Sequence, residues 1–269
     1  MSRAMRLQIP LMAGLILFTF INLIPIIWGF MISIRQPGDA FSIPPKLIFD
    51  PTLIFHYQVW FERGFLSFLG NSLIIAAGTI GISVPIGTMA AYGLARMKSK
   101  HSGKLLFGLL AVRMFPQILL AIPFFVMARG LGMIDSYWMM ILSMVAINQP
   151  FTIWLMRSFF VDVPIELDEA AMIDGCNRWQ AFWMIVLPAV RPGLAVTSLF
   201  SALLAYNEFL FALILTGNKV PVITVVMAQF VTEMGLRWNL MAATAVMALG
   251  PAFLLALFGQ KYVIRGLRI

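Results

Sequence analysis

Residues 169–192 read EAAMIDGCNRWQAFWMIVLPAVRP, and they form a polar island between long apolar runs. Two short helices are predicted here. Gly175 suits the left-handed position that follows the end of a helix. Asn177 can cap the next helix, because Gln180 stands three residues later as in a capping box. Phe182, Ile185 and Val186 are predicted to share an apolar face, and Pro188 is predicted to end the run.

The first of these helices has a recognisable beginning upstream of the quoted stretch. Asp162 or Val163 can start it with Pro164 in its opening turn, where a missing backbone N–H costs nothing. Three acidic residues follow and are favoured near the positive end of a helix, namely Glu166, Asp168 and Glu169. The segment 162–191 is therefore predicted to be a loop that contains two helices.

The composition indicates an integral membrane protein. Hydrophobic residues make up 61% of the 269 residues, and the mean hydropathy is +0.92. A formal net charge of +8 could indicate nucleic-acid binding, but the basic residues stand beside apolar runs, as in the positive-inside pattern. No nucleic-acid partner is expected. The single cysteine, Cys176, excludes an internal disulfide.

The fold class predicted from these runs is an all-α integral membrane protein with six transmembrane helices. Each run is long enough to cross a bilayer, although Arg113 and Pro116 interrupt the third run and Glu208 interrupts the fifth. The predicted spans are residues 9–34, 64–95, 105–128, 136–156, 193–216 and 238–260. The island then lies between the fourth and fifth spans. Residues 35–64 form a proline-rich connection, and residues 129–135 form a tight turn.

The basic residues predict the orientation of these spans. Six spans place both termini, the loop at 96–104 and the island on one side, and that side holds twelve of the basic residues: Arg3, Arg6, Arg96, Lys98, Lys100, Lys104, Arg157, Arg178, Arg191, Lys261, Arg265 and Arg268. The other side holds six: Arg35, Lys46, Arg63, Arg129, Lys219 and Arg237. The positive-inside rule places the first side in the cytoplasm.

The polar island resembles the EAA loop of ABC importer permeases, which are binding-protein-dependent inner-membrane transport components. The family pattern is E-A-A, three residues, glycine, nine residues, isoleucine, one residue and Leu-Pro. This chain matches it without a gap at Glu169, Ala170, Ala171, Gly175, Ile185, Leu187 and Pro188, and Asp174 precedes the glycine. The resemblance implies that these eight residues couple the permease to a cytoplasmic ATPase through a coupling helix.

Weaker resemblances extend over roughly residues 65–267 and are similar to the carbohydrate importer branch, specifically its MalG-like subunit. They lie at residues 71–72, 90–96, 114–116, 122–123, 131–133, 207–209, 241–242, 251, 260–262 and 266–267. The resemblance divides the chain into residues 1–64, a first span with a periplasmic connection, and residues 65–269, the permease core. The family often continues with a glycine-rich tail, whereas this sequence stops at residue 269.

The resemblance also implies the partners and the location. These are a second homologous permease subunit, two ATP-binding subunits, a periplasmic or lipid-anchored solute-binding protein and membrane lipid. The substrate would be a sugar or a related polyhydroxylated solute. A non-sugar solute such as a glycerol-phosphate-type compound remains an alternative. The location would be the bacterial inner membrane, with multiple spans and both termini in the cytoplasm.

Two ionisable residues inside predicted spans, Arg113 and Glu208, are candidates for the substrate path because charge is costly in a bilayer. Glu208 and Asn207 offer hydrogen bonds to sugar hydroxyls, but a polar contact that fixes packing is an equal alternative. Arg113 can pair with Glu208 or extend to an interface. Asn71 and Gln117 are further path candidates that can equally serve as caps or interhelical hydrogen bonds.

The sequence offers no catalytic residue, and no metal ligand set is expected. No Ser/His/Asp or Cys/His constellation can be assembled on one membrane side, and a G-x-x-x-x-G-K-[ST] loop is missing. The chain should therefore carry no cofactor, and ATP and magnesium should bind to the partner ATPase. A membrane-embedded enzyme and an ion-coupled carrier are the alternative classes of protein. The enzyme needs clustered acidic or histidine residues, and the carrier predicts inverted repeats.

Reporter tags at Met1 and Ile269 should both be found in the cytoplasm, because the basic residues favour that side by two to one. The measurement is the accessibility of each tag in intact cells and in inverted membrane vesicles. A tag at residue 219, in the loop predicted to face outward, is the control. A periplasmic signal at either terminus would contradict the six-span topology.

Overall fold

A computed structural model describes residues 3–40, 42–97, 101–232 and 235–266. Helices dominate it. The helices are α1 (Arg3–Ser33), α2 (Ile54–Tyr57), α3 (Phe65–Arg96), α4 (His101–Val112), α5 (Gln117–Gly130), α6 (Tyr137–Val161), α7 (Glu166–Ile173), α8 (Arg178–Ala181), α9 (Leu187–Ala189), α10 (Arg191–Tyr206), α11 (Leu210–Leu215), α12 (Ile223–Gln229) and α13 (Trp238–Gly266). Two π-helical turns cover Gln58–Glu62 and Phe182–Val186, and a small antiparallel pair joins β1 (Val231–Thr232) to β2 (Gly235–Leu236).

Four of the described helices are long and apolar enough to cross a membrane without a break, namely Pro10–Ser33, Phe65–Arg96, Tyr137–Val161 and Trp238–Lys261. Two bent pairs raise the count to as many as six when each pair is taken as one span. The all-α membrane class is confirmed, and six spans are compatible with it. Lys98, Lys100 and Arg268, which contribute to the charge bias, lie outside the described residues, as do Leu267 and the end of the chain.

The third span is interrupted where predicted, at Arg113 and Pro116. The chain breaks between α4 and α5, which meet at 82°. Pro116 cannot donate a backbone N–H, and it disfavours helical backbone at Phe115. Pro116 itself stands at φ −55° and ψ 125°, outside the helical region. Residues 113–116 therefore form a turn at the centre of this span.

The predicted fifth span is also interrupted. Residues 178–189 meet α10 at 78°, so that the span begins directly after a bend at Val190. Helix α10 ends at Tyr206, and α11 begins at Leu210 after a short break. Residues 218–237, between the predicted fifth and sixth spans, contain α12 and the small β pair. The fifth span is therefore interrupted at Glu208, as predicted, and it also begins after the bend at Val190.

The described chain divides into two compact units, made of residues 1–66 with 227–250 and of residues 67–226 with 251–269. In the first unit a buried arginine, Arg35, organises the connection that follows α1. Its guanidinium donates to the carbonyl of Lys46 at 2.6 Å and lies over the rings of Trp28 and Phe49, at 5.1 and 4.7 Å from their centroids. The Nδ2 group of Asn239 donates to the backbone oxygen of Arg35 at 2.9 Å.

The second unit packs α3, α6 and α10 together through both apolar and polar contacts. A chain of hydroxyl groups crosses the three helices from Ser83 to Thr152 at 3.3 Å and from Thr152 to Ser201 at 3.2 Å. Gly87 allows this close approach, because a Cβ atom there would lie 2.5 Å from Cγ2 of Thr152. Small residues and shared hydroxyl bonds are the usual means of joining helices in lipid.

Asp135 joins two loops of the second unit. Its carboxylate accepts hydrogen bonds from the backbone N–H groups of Gly217 at 2.7 Å, Lys219 at 2.8 Å and Val220 at 3.0 Å. Partial burial raises the pKa of Asp135, but these three hydrogen bonds outweigh that effect and hold the pKa below its usual value. The predicted tight turn after α5 is confirmed, with Gly132 and Asp135 at positive φ.

Asp135→Asn should lower the free energy of unfolding at pH 7 by about 1 kcal/mol, because the amide offers fewer acceptor sites to the three N–H groups. The folded-state pKa is depressed, so this stabilisation is complete above the unfolded-state pKa of about 3.9 and is lost as the pH falls through the lower folded-state value. Thermal unfolding in detergent measures it. Asp50→Asn, at an exposed carboxylate, is the control; equal melting temperatures for the two variants would refute the expectation.

Candidate functional site

Helix α7 begins later than predicted. It starts at Glu166 and is preceded by Ile165, so that Pro164 stands just before the helix instead of in its opening turn. The carbonyl of Pro164 still accepts a hydrogen bond from the N–H group of Leu167 at 3.3 Å. The acidic residues predicted for the first turn are all there, and the backbone N–H groups at that end favour negative charge.

The end of α7 follows the predicted pattern. Gly175 has φ +91°, a left-handed conformation that costs a residue with a Cβ atom about 1–2 kcal/mol. The N–H of Cys176 donates to the carbonyl of Ala171 at 3.0 Å, and the N–H of Gly175 donates to that of Met172 at 3.2 Å. These two bonds define a Schellman motif, which satisfies carbonyl groups that the helix itself leaves open.

The start of the second helix also follows the prediction, but its continuation does not. Asn177 and Gln180 form the predicted capping box through two reciprocal hydrogen bonds of 2.9 Å. Phe182 and Val186 are buried as expected, whereas Ile185 is 39% exposed because the π-helical turn rotates it outward. Pro188 does not end the run, since it lies in the last helical turn and the chain bends after Ala189.

The side chains of α7 divide into an outer and an inner set. Glu169, Ala170, Asp174 and Gly175 are exposed, and Leu187 and Pro188 are half-buried in the segment that follows. Ala171 lies on the inner side and is only 6% exposed. Ala170 and Ala171 therefore point in different directions, because neighbouring residues in a helix lie about 100° apart.

Asp168 makes contacts that the sequence did not predict. It is 5% exposed, and its carboxylate accepts hydrogen bonds from the Tyr92 hydroxyl at 2.5 Å and from Nε of Arg96 at 2.8 Å. Nη2 of Arg96 also lies 2.8 Å from Oδ2, close enough for ion-pair attraction but outside hydrogen-bond geometry. Partners 72 and 76 residues away in sequence leave no local signal, although an aspartate next to E-A-A pointed at the right helix.

A cavity of about 330 Å³ lies beside this ion pair. Tyr92 and Arg96 line one part, and Asp168, Glu169 and Met172 of α7 line another. Arg178 of α8 also lines it. Because the cavity lies between the two helices, α7 contacts the end of α3 directly through the hydrogen bonds of Asp168.

Glu208 and Asn207 occupy the break between α10 and α11. Oε1 of Glu208 accepts a hydrogen bond from the N–H of Phe211 at 3.1 Å, and the backbone oxygen of Glu208 accepts one from the hydroxyl of Thr224 at 2.9 Å. Asn207 donates to the carbonyl of Leu203 at 2.9 Å. Both side chains satisfy backbone groups at helix ends, so their observed contacts are those of the packing alternative.

Arg113 and Gln117 lie together at the break between α4 and α5. They line a cavity of about 190 Å³ with Phe115 and Phe124. The guanidinium of Arg113 lies over the ring of Phe151, with 5.5 Å to the centroid. No ion pair joins Arg113 to Glu208, since the ion pairs found among the described residues are Asp39–Lys46 and Arg96–Asp168.

Asn71 is buried and serves an interhelical contact. It donates to the carbonyl of Pro221 at 2.8 Å and accepts a hydrogen bond from the hydroxyl of Tyr137 at 2.6 Å. These bonds use the amide on both sides and tie α3 to α6 and to the segment before α12. Across residues 3–40, 42–97, 101–232 and 235–266, no three His, Cys, Asp or Glu side chains gather closely enough to hold a metal ion.

Comparison with known proteins agrees with this arrangement. Residues 83–269 match the family described as the binding-protein-dependent transport system inner membrane component. A probable ABC transporter permease protein, y4oR of Sinorhizobium fredii, is 37% identical over 92% of this chain and 89% of its own length. The trehalose/maltose transport system permease protein MalG of Thermococcus litoralis is 34% identical over 97% of this chain and 95% of its own.

A solved structure shares the fold. A chain of a bacterial ABC transporter involved in the import of the acidic polysaccharide alginate superposes with a TM-score of 0.75 and 23% identity, over 97% of this chain and 98% of that one. The chain therefore belongs to the family of binding-protein-dependent inner membrane components and is a permease subunit of an ABC importer. The resemblance of the EAA loop is confirmed, and both the enzyme and the ion-coupled carrier are set aside.

Glu208→Gln should preserve the melting temperature, because the amide oxygen can still accept the hydrogen bond from Phe211. Glu208→Ala should lower the stability by about 1 kcal/mol, since that N–H loses its partner. Thermal unfolding of the purified variants in detergent gives both values. If the Gln variant were as unstable as the Ala variant, the charge of Glu208 would be essential to the fold.

Proposed function

We propose that this chain forms half of the translocation path for a sugar or a related polyhydroxylated solute, and that α7 couples it to an ATPase. The first part is supported by relatives whose names specify such substrates. They include the trehalose/maltose permease, a diacetylchitobiose permease of Streptomyces coelicolor at 32% identity and a sulfoquinovosyl glycerol permease of Agrobacterium fabrum at 30%.

The observation that carries the coupling proposal is the exposed acidic side of α7. Glu166 and Glu169 are exposed on a short helix that lies outside the spans. The Gly175 turn ends this helix, and the capping box begins the next one. An outward carboxylate suits a basic group on a partner. Ala170 beside Glu169 leaves room for the partner surface to come close.

The proposed assembly contains four further components. A second homologous permease completes the path, and two ATP-binding subunits dock on the α7 side, where they bind ATP and magnesium. A periplasmic or lipid-anchored solute-binding protein delivers the solute on the opposite side. The chain would lie in the bacterial inner membrane with both termini in the cytoplasm, as the basic residues favour.

The cavity at the break in the third span supports a solute rich in hydroxyl groups. Arg113 and Gln117 provide hydrogen-bond donors there, while Phe115 and Phe124 provide ring surfaces. Sites for small polar ligands combine apolar walls with a few directed polar groups. Arg113 would equally suit the phosphate of a glycerol-phosphate-type solute, which is the alternative substrate.

The experiment compares Gly175→Val and Glu169→Lys with the wild type, in the transporter assembled with its partner subunits. Both variants should reduce the ATPase that co-purifies by about fivefold, equivalent to about 1 kcal/mol of docking free energy. The first strains the left-handed turn, and the second reverses the outward charge. Membrane abundance should stay unchanged, since α7 lies outside the bilayer. The exposed residue change Glu62→Lys, in the connection after α1, is the control.

Uptake by the wild-type assembly tests the substrate class in the same preparation. Labelled trehalose or maltose is offered with and without an excess of glycerol 3-phosphate. Uptake that the phosphate compound does not reduce supports the sugar class, and uptake of the phosphate compound alone supports the alternative. If both α7 variants bind ATPase and transport as the wild type does, the coupling proposal is wrong.

A further inference from the structure

Three side chains form what we term the charge clamp: Tyr92 and Arg96 of α3 and Asp168 of α7. Arg96 is the last residue of α3, and Tyr92 stands one turn before it. Asp168 receives hydrogen bonds from both, at 2.8 Å from Arg96 and 2.5 Å from Tyr92. Each oxygen of the carboxylate therefore has its own donor, and the direction of Asp168 relative to α3 is defined.

The clamp also holds the end of α6. Nη1 of Arg96 donates to the backbone oxygens of Phe160 and Val163, each at 3.1 Å. The Phe160 carbonyl belongs to the last turn of α6 and also accepts a hydrogen bond from the N–H of Val163 at 3.3 Å, whereas the Val163 carbonyl lies beyond the end of the helix. The guanidinium thus contacts three segments at once: its own helix, the end of α6 and α7.

Solvent is largely excluded from the ion pair. The side chains of Arg96 and Asp168 are 15% and 8% exposed. Charges in such surroundings attract each other more strongly than at a surface, and either one is costly to leave alone. The rings of Phe160 and Phe182 cover Tyr92, with centroids at 5.6 and 4.8 Å. The clamp is therefore a rigid contact, unlike the flexible ion pairs found on surfaces.

Helix α7 has few other means of passing a displacement to α3. Six of its eight residues are exposed, and the cavity of about 330 Å³ lies between much of α7 and the end of α3. The clamp bridges this space. On the other side, α7 rests on the π-helical turn of residues 182–186, whose Phe182 packs against Tyr92 of α3 with 4.8 Å between the ring centroids. This route to α3 is indirect and apolar, whereas the clamp contacts α3 directly.

We propose that Arg96, Asp168 and Tyr92 are positioning residues that transmit the displacement of α7 to α3 and α6. The inference rests on the proposed coupling function of α7. In this arrangement the outer side of α7 binds the ATPase, whereas the inner side, through Asp168, moves the spans. Docking and transmission are then carried by different residues of the same short helix.

The test uses the complete transporter with its ATPase and solute-binding protein, and compares Arg96→Met, Asp168→Asn and Tyr92→Phe with the wild type. Three quantities are measured: ATPase recovered with the permease, ATP hydrolysis and solute uptake. Asp168→Asn and Arg96→Met should lower uptake per ATP hydrolysed about tenfold, while the ATPase recovered stays within about twofold. Tyr92→Phe should lower the same ratio about threefold, since it removes one hydroxyl bond.

The charge-reversed double variant Arg96→Glu with Asp168→Arg should regain part of the lost ratio, because it restores the attraction between the two helices. Its contacts to the Phe160 and Val163 carbonyls are lost, so recovery should be incomplete. Arg129→Met, at an exposed arginine in the last turn of α5, is the matched control and should transport normally.

The outcomes separate the two proposals. Failure of the wild-type permease to bind the ATPase would overturn the coupling function itself. Normal docking with uptake per ATP unchanged in Asp168→Asn and Tyr92→Phe would overturn the clamp alone. Parallel loss of docking and uptake would also overturn it, because the three residues would then shape the docking surface instead of transmitting motion. The Tyr92→Phe variant keeps the charges paired, so the test holds even where an unpaired charge prevents assembly.

Discussion

Backbone N–H and C=O groups in a bilayer have no water to bond with, and this constraint governs most of the chain. It explains why nearly every described residue in the predicted spans is helical. It also explains why the two interrupted spans carry polar side chains at their breaks. Where α10 stops, Asn207 and Glu208 bond to backbone groups that the helices leave open. At the other break, Arg113 lies over an aromatic ring.

The same constraint accounts for the polar contacts inside the second unit. Hydroxyl and amide groups that would be costly in hydrocarbon are turned toward neighbouring helices, as in the contact from Ser83 to Thr152 and in the bonds of Asn71. A polar residue in a span can therefore either join helices or line a cavity. Asn71 and Glu208 have packing partners in this structure, whereas Arg113 and Gln117 line a cavity. The burial of each side chain and its hydrogen-bond partners distinguish the packing residues from the cavity residues, whereas the residue type does not.

Charge is used differently in the loop of residues 162–191. The outward carboxylate of Glu169 faces water and is available to another protein, while the inward carboxylate of Asp168 is paired within the chain. Glu169 and Asp168 are neighbours in the helix, and the rotation of about 100° between them places one carboxylate outward and the other inward. The result is a helix of eight residues with distinct outer and inner sides, which ends at the left-handed turn of Gly175.

Local patterns in the sequence determined the spans, the Gly175 turn and the capping box, since each depends on residues within one or two turns of each other. Arg113, Pro116 and Glu208 predicted the interruptions of the third and fifth spans but not the bends of 82° and 78°, because hydropathy carries no information on the direction of the chain. The sequence could not place Ala171 inward or pair Asp168 with Arg96, nor bring Asp135 to the N–H groups of residues 217–220. Only the tertiary structure decided these contacts, because they join segments 72 or more residues apart and depend on how the helices pack.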